Sequence, residues 1–359
     1  MTKDDEEDLC NEIKTKYPNL NDCLRKDNTF NLIKKNKILN ELKDDTEFLD
    51  KFNKFKDMYE IRKGKKEPTT HEEISDSENS DDSESILNEV NNDNKYNFIC
   101  GDCLDTLKSL NDKSVDVVIT SPPYNIGLKY HKYKDKKPRE QYLEWIYDIF
   151  VDIKRVLKDD GHIFLNMGYT NRDPWISMEV ALKLKNLLIL QNKIVWVKSI
   201  SIGEDKDDTH GHFKPINSDR YINVTNEDLY HFTKTDNVKI NRKAVGVPYK
   251  WKCNLKNRKT GEIKEDKRCK GNTWFIPYDT INSKEEKGYH PATFPEGLVE
   301  HCIKISDVKT GTILDPFIGS GTTVRVAKKM TDNSEDYDLS GIGIDIDEKY
   351  IKFCEERIK

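Results

Sequence analysis

Apolar residues change their spacing twice along the chain. Leu20, Leu24, Phe30, Ile33, Ile38, Leu39, Leu42, Phe48, Phe52, Phe55 and Met58 recur every three to four positions among Lys and Glu. That period predicts amphipathic helices, and hence a small helical accessory domain over residues 1–66. Residues 67–93 then carry ten acidic side chains and no Lys or Arg, with a Ser/Asp/Glu-rich run from Ile74 to Ser83. Such a stretch cannot bury enough apolar surface to fold alone, so residues 67–94 read as a disordered acidic linker. From about residue 96 short apolar runs take over: Tyr96 to Cys100, Val115 to Thr120, His162 to Met167, Lys193 to Val197, Leu229 to Phe232, Thr312 to Leu314 and Ile342 to Ile344. Helical stretches such as Arg139 to Leu157 and Pro295 to Ile305 lie between several of them. Seven strands with helical crossovers predict a doubly wound, Rossmann-like α/β sheet over residues 95–359. From about 235 to 285 the rhythm breaks into irregular, basic, aromatic-bearing sequence that reads as an insertion.

Length and charge change this picture little. The 359 residues hold no apolar run near the roughly 20 a membrane span needs, and no signal-peptide pattern follows the acidic start Asp4 to Asp8. The expectation is a soluble intracellular protein, in cytoplasm, nucleoid or nucleus, with no membrane partner. Eight scattered cysteines in a chain this long argue for reduced thiols rather than a disulfide framework. The formal charge of −5 divides unevenly, −8 over residues 1–95 and +3 over the rest, so the acidity belongs to the front.

Candidate chemistry begins at Ser121-Pro122-Pro123-Tyr124, placed directly after the run Val115 to Thr120. Ligands of open parallel sheets sit outside the carboxyl ends of the strands. Two prolines there present carbonyl oxygens in fixed directions and few donors. The Ser121 hydroxyl and the Pro122 carbonyl can accept hydrogen bonds from an amino group, and Tyr124 offers a ring face for stacking. Far downstream, Thr312 to Val324 reads as strand, glycine turn and helix start. Gly319 and Gly321 let the backbone approach a ligand, and the following helix offers free N–H groups to a carboxylate. Asp315 precedes this turn, and the next strand, Gly341 to Ile344, ends in the acid Asp345, where nucleotide-binding sheets hold ribose hydroxyls. The turn lacks the Lys of a P-loop and the longer glycine fingerprint of dinucleotide folds. A nucleoside with a compact charged tail, such as S-adenosylmethionine, fits it better than ATP or NAD.

Ser121 to Tyr124 together with Asp315-Pro316-Phe317-Ile318-Gly319-Ser320-Gly321 resembles the amino-methyltransferases of DNA. The order of catalytic motif, target-recognition region and cofactor motif resembles that family's permuted β-group. Gly101 to Leu107 is similar to the family segment whose acid, here Asp102, approaches the cofactor adenine, and His290 to Pro295 to the segment that cradles the methionine end. The resemblance covers about residues 96–359 and implies an S-adenosylmethionine-dependent methyltransferase fold. It implies Ser121, Pro122, Pro123 and Tyr124 as the catalytic set. Its cofactor-binding set is Asp315, Phe317, Gly319, Ser320, Gly321, Thr322, Asp345, Asp102, His290 and Phe294. Ser at the first motif position is similar to enzymes acting on N4 of cytosine, with N6 of adenine as the alternative, and a companion restriction endonuclease is a possible partner.

The implied substrate is double-stranded DNA with its target nucleotide flipped out. Residues 129–137 interleave cations with aromatics, as suits a loop meeting phosphates and exposed bases, with Lys129 and Lys132 the phosphate contacts. Residues 239–270 hold twelve Lys and Arg against three acids, a local +9, where the family order puts target recognition. Lys252, Lys256, Arg258, Lys259, Arg268 and Lys270 are the DNA-contact candidates there, with Asn254, Asn257, Arg258 and Arg268 of types able to read base edges. No metal is expected, because Cys100 and Cys103 have no second pair at ligand spacing. The rival reading is a DNA-binding protein that keeps the fold without the chemistry.

Overall fold

The computed structural model describes residues 94–359 except 129, 199, 203–207, 211–215, 258, 278–293 and 359. The accessory domain expected over 1–66, nearly all of the acidic stretch, and the candidate residues Lys129, Arg258 and His290 lie outside the described residues. The elements run β1 (Tyr96–Cys100), α1 (Cys103–Ser109), β2 (Val115–Thr120), α2 (Arg139–Val156), β3 (Leu157–Met167), α3 (Ile176–Leu184) and β4 (Ile189–Val197). After β5 (Ile200–Ile202) and β6 (Asp208–His210) come β7 (Asn226–Thr233), β8 (Thr273–Phe275), α4 (Glu296–Ser306), β9 (Thr310–Asp315), α5 (Thr322–Asn333), β10 (Asp338–Asp345) and α6 (Glu348–Ile358).

The main sheet has the order β1-β10-β9-β2-β3-β7-β4-β8, and β5 and β6 form a separate two-stranded sheet. All seven expected strands are in the main sheet, and an eighth, β8, comes from the stretch read as an insertion. Strands β1, β10, β9, β2 and β3 run parallel, while β7 is antiparallel to both its neighbours, β3 and β4. The continuous apolar run of β2 suits a strand covered on both faces: Val115, Val117, Val118 and Ile119 are all buried. One face is covered by α2, whose Tyr142, Ile146, Ile149, Phe150 and Ile153 fall at helical spacing and are fully buried. Each such side chain stabilises the fold by about 1.5–3 kcal/mol relative to exposure. On the opposite face α4 and α5 contribute Leu298, Val299, Cys302, Ile303, Val326 and Ala327 to a second cluster.

This topology makes one site from distant motifs. Cys100 pairs with Asp345, Gly343 with Asp315, and Leu314 with Val118, so the carboxyl ends of β1, β10, β9 and β2 share one rim. Because β7 runs the other way, its first residues arrive at that same rim beside the end of β3, where Asp228 pairs with Met167.

Candidate active site

An open cleft with about 1100 Å³ of non-protein space lies along this rim. Its walls bring together Asp102, Ser121, Pro122, Pro123, Tyr124, Lys132, Phe294, Phe317, Gly319, Ser320, Thr322 and Asp345, all expected from sequence to serve one site. Lys132, read as a phosphate contact, thus stands in the wall of the cleft itself.

The Ser-Pro-Pro-Tyr turn is held from several sides. Tyr142 in α2 donates its hydroxyl to the Pro123 carbonyl at 2.7 Å. Asp135, 2% exposed, accepts the backbone N–H groups of Asn125, Ile126, Gly127 and Leu128 at 2.7–3.2 Å. The cation-rich loop after the turn is therefore anchored by a buried carboxylate that the sequence presented only as one acid among lysines. Tyr124 is itself only 8% exposed. Its hydroxyl lies 2.6 Å from Ser121 Oγ and donates to Glu227 Oε2 at 3.1 Å. Asn166 Nδ2 donates to the Tyr124 hydroxyl at 2.8 Å and to Glu227 Oε2 at 2.7 Å, and Lys198 Nζ donates to Glu227 Oε1 at 2.5 Å. A Cβ on Gly168 would stand 2.5 Å from a Tyr124 ring carbon, so this glycine makes room for the ring.

Glu227, Asn166, Lys198 and Gly168 were not anticipated. The available signal was Asn226-Glu227-Asp228, three polar residues opening an otherwise apolar strand, but only an antiparallel β7 brings them to the rim.

Across the rim the glycine turn follows β9. Gly319, at φ 47°, donates its N–H to Asp345 Oδ2 at 3.1 Å, and Asp347 N donates to Asp345 Oδ1 at 2.8 Å. Burial pushes the Asp345 carboxyl up to about 6 despite these bonds. Asp102 lines the cleft and also caps α1, accepting Leu104 N at 2.9 Å. Phe317 meets Trp145 edge to face with centroids 5.6 Å apart, and the stacked pair Tyr133 and Trp145 continues this aromatic wall.

Two expected cofactor contacts have other duties. Asp315 is 1% exposed and does not line the cleft; its carboxylate accepts Thr120 Oγ1 and Thr323 Oγ1, each at 2.7 Å, and Phe317 N at 3.0 Å. The chain turns at Pro316, leaving Asp315 underneath as the brace that ties β2 to the turn. Gly321 adopts φ 84° as the cap of α5, and a Cβ there would lie 2.9 Å from Cys354 Sγ, so it serves close packing against α6 rather than the cleft.

The basic segment forms an arm closed by bridges Val247–Arg268 and Lys256–Ile263, with a turn at Gly261. Lys256, Lys259 and Arg268 are exposed along it, as are Trp251 and Ile263, and Lys252 forms an ion pair with Asp266. Lys270 departs from expectation: it is half-buried, lies 3.2 Å from His301 Nε2, and burial lowers its pKa.

Glycine turn, strand-end acid and acceptor turn thus share one parallel-stranded rim of a doubly wound sheet. The family model described as a DNA methylase, of the N6 and N4 methyltransferases, matches residues 115–356. The chain belongs to this DNA methylase family. It is 32% identical over 240 residues to the type II methyltransferase M.BglII of Bacillus subtilis, covering 64% of this chain and 61% of that protein's length. The DNA adenine methyltransferase YhdJ of Escherichia coli strain K12 is 27% identical over 268 residues, covering 73% of this chain and 82% of YhdJ. Among solved structures, the cytosine-N4-specific PvuII DNA methyltransferase matches with a TM-score of 0.52 at 18% identity, covering 73% of this chain and 86% of that one, a likeness of fold.

The family draws its methyl group from S-adenosylmethionine. The residues present fit that group: Asp345 would offer carboxylate oxygens to a ribose diol and Phe317 an apolar wall to adenine, Phe294, expected toward the methionine end, also lines the cleft, and the positive-φ Gly319 brings backbone close without a side chain. No described helix is long and apolar enough to cross a membrane.

Proposed function

We propose that the protein methylates the exocyclic amine of a flipped DNA base, with N4 of cytosine as the target atom. The observation that carries this reading is that acceptor turn and glycine turn line one cleft. The amine nitrogen is a poor nucleophile because its lone pair is delocalised into the base. Hydrogen bonds from its two N–H groups to Ser121 Oγ and the Pro122 carbonyl favour a tetrahedral nitrogen and stabilise the positive charge that grows on it. When bound, S-adenosylmethionine supplies an electrophilic methyl whose bond to sulfur breaks as the bond to nitrogen forms, the electron pair staying on sulfur. Direct transfer requires no covalent enzyme intermediate, and because the methylated nitrogen loses its proton to solvent only afterwards, no strong base is needed. The chain's main contribution is alignment in a preformed site.

The preference for cytosine rests on Ser rather than Asp or Asn at position 121, and N6 of adenine is the second reading, favoured by the likeness to YhdJ. Expression in a host without DNA methylation, followed by mass spectrometry of its nucleosides, is expected to yield N4-methylcytosine. N6-methyladenine alone would move the assignment to adenine, and neither product, with purified protein unable to bind S-adenosylmethionine, would favour a DNA-binding protein without the chemistry. A companion restriction endonuclease belongs to the same reading.

The target-recognition region is assigned to about residues 235–285, on the strength of the exposed cationic arm. Replacing Lys256 and Lys259 together by Ala is expected to flatten the slope of log affinity for DNA against log salt by about 2, since each phosphate contact releases close to one counterion. S-adenosylmethionine affinity is expected to stay unchanged. An unaltered salt slope would remove the arm from the DNA interface.

A further inference from the structure

The Ser121 role just proposed has a hidden requirement, because a hydroxyl accepts a hydrogen bond from the amine well only if its own proton points elsewhere. Ser121 has one such direction available in the Tyr124 hydroxyl, 2.6 Å away, where either oxygen could be the donor. Tyr124 also has a single proton. It stands 3.1 Å from Glu227 Oε2, and an ionised carboxylate only accepts. Asn166 points the same way: its Nδ2 donates to both the Tyr124 hydroxyl and Glu227 Oε2. The opposite amide orientation would set its carbonyl oxygen against the carboxylate. The Lys198 ammonium, bonded to the other carboxylate oxygen, balances the charge of Glu227 in a site where that residue is 6% exposed.

We infer that Glu227 is a positioning residue that fixes the direction of the chain Ser121 to Tyr124 to Glu227. Tyr124 gives its proton to Glu227, Ser121 gives its proton to Tyr124, and the Ser121 lone pairs face the cleft. The inference rests on the amine-methylating reading but makes a claim about proton positions that stands apart from activity. It also gives the Tyr124 hydroxyl a task distinct from ring stacking, and explains a buried Glu and Asn with a half-buried Lys assembled beneath a serine.

Neutron diffraction from crystals of the deuterated protein reads the chain directly. The expected density puts the Ser121 deuterium on the line to Tyr124 and the Tyr124 deuterium on the line to Glu227; a Tyr124 deuterium aimed at Ser121 overturns the inference. Kinetics give the second arm. Glu227→Gln is expected to lower kcat on the order of 10- to 100-fold, the worth of a hydrogen bond to a charged group. KM for DNA and for S-adenosylmethionine should hold within about twofold, and in a Ser121→Ala background the same change should cost less than about threefold, as residues acting through one another are non-additive. Equal losses in both backgrounds mean Glu227 acts on the fold and not through Ser121. Should Glu227→Gln not fold, Tyr124→Phe takes its place with the same expectations. A wild-type protein that transfers no methyl group to DNA would sink the proposed function while leaving the neutron result to decide the chain's direction.

Discussion

Ser121→Ala is expected to lower kcat about 100- to 1000-fold, the cost of removing one preorganised group that stabilises transition-state charge. The fold has no reason to suffer: Ser121 is partly exposed at the end of β2, and Ala fits the same turn between Thr120 and Pro122. The cofactor side has little reason to suffer either. Asp345, at the end of β10, lies two strands away in the order β10-β9-β2, and its carboxylate is held by Gly319 and Asp347. Activity should persist above background because the Pro122 carbonyl is backbone and remains. Single-turnover methylation, with calorimetric titration of S-adenosylmethionine, separates the two effects. A parallel loss of cofactor affinity would mean that Ser121 shapes the nucleoside pocket, and unchanged turnover would remove it from the chemistry.

How much of this site was legible in the chain depended on whether a residue's role was local. Ser121-Pro122-Pro123-Tyr124 and Phe317-Ile318-Gly319-Ser320 announce themselves because prolines and glycines restrict or free the backbone wherever they occur, and strand ends are visible as the ends of apolar runs. Those residues stand in the cleft. Asp315 and Gly321 belong to the same motif yet face away from it, since the direction of a side chain at a turn depends on what packs beneath, here Thr120, Thr323 and Cys354. Glu227 and Asn166 were invisible for a different reason. They meet only because β7 inserts antiparallel between β3 and β4, a pairing that apolar runs do not encode. Lys270 shows the limit of charge counting: a local excess of cations marks a segment, but a single lysine within it can turn inward to His301. The eighth strand was lost in the same way, its three residues too short for a period to register among basic loop sequence.

The cofactor side carries the other large effect. Asp345→Ala is expected to weaken S-adenosylmethionine binding about 10- to 100-fold, corresponding to hydrogen bonds between a charged acceptor and ribose hydroxyls. Its pH dependence gives a sharper signature. Burial raises the Asp345 carboxyl to about 6 from its ordinary 3.8. The native state therefore binds this proton more tightly than the unfolded chain, so the stability it contributes is present at low pH and falls as pH rises from about 4 to about 6. Affinity for the nucleoside runs the opposite way, because the ionised carboxylate is the better acceptor for hydroxyl donors. Binding should strengthen as pH rises through about 6 and then level off. Asp315, also raised to about 6 by burial, shares the trend in stability but has no contact with the cleft to share the trend in affinity. Asp345→Asn separates the two carboxyls: the variant should still lose stability between pH 4 and 6 through Asp315, while the rise in cofactor affinity over that range disappears. An affinity that still climbs through about 6 in the Asn variant would assign the titration to another group and remove Asp345 from the ribose site.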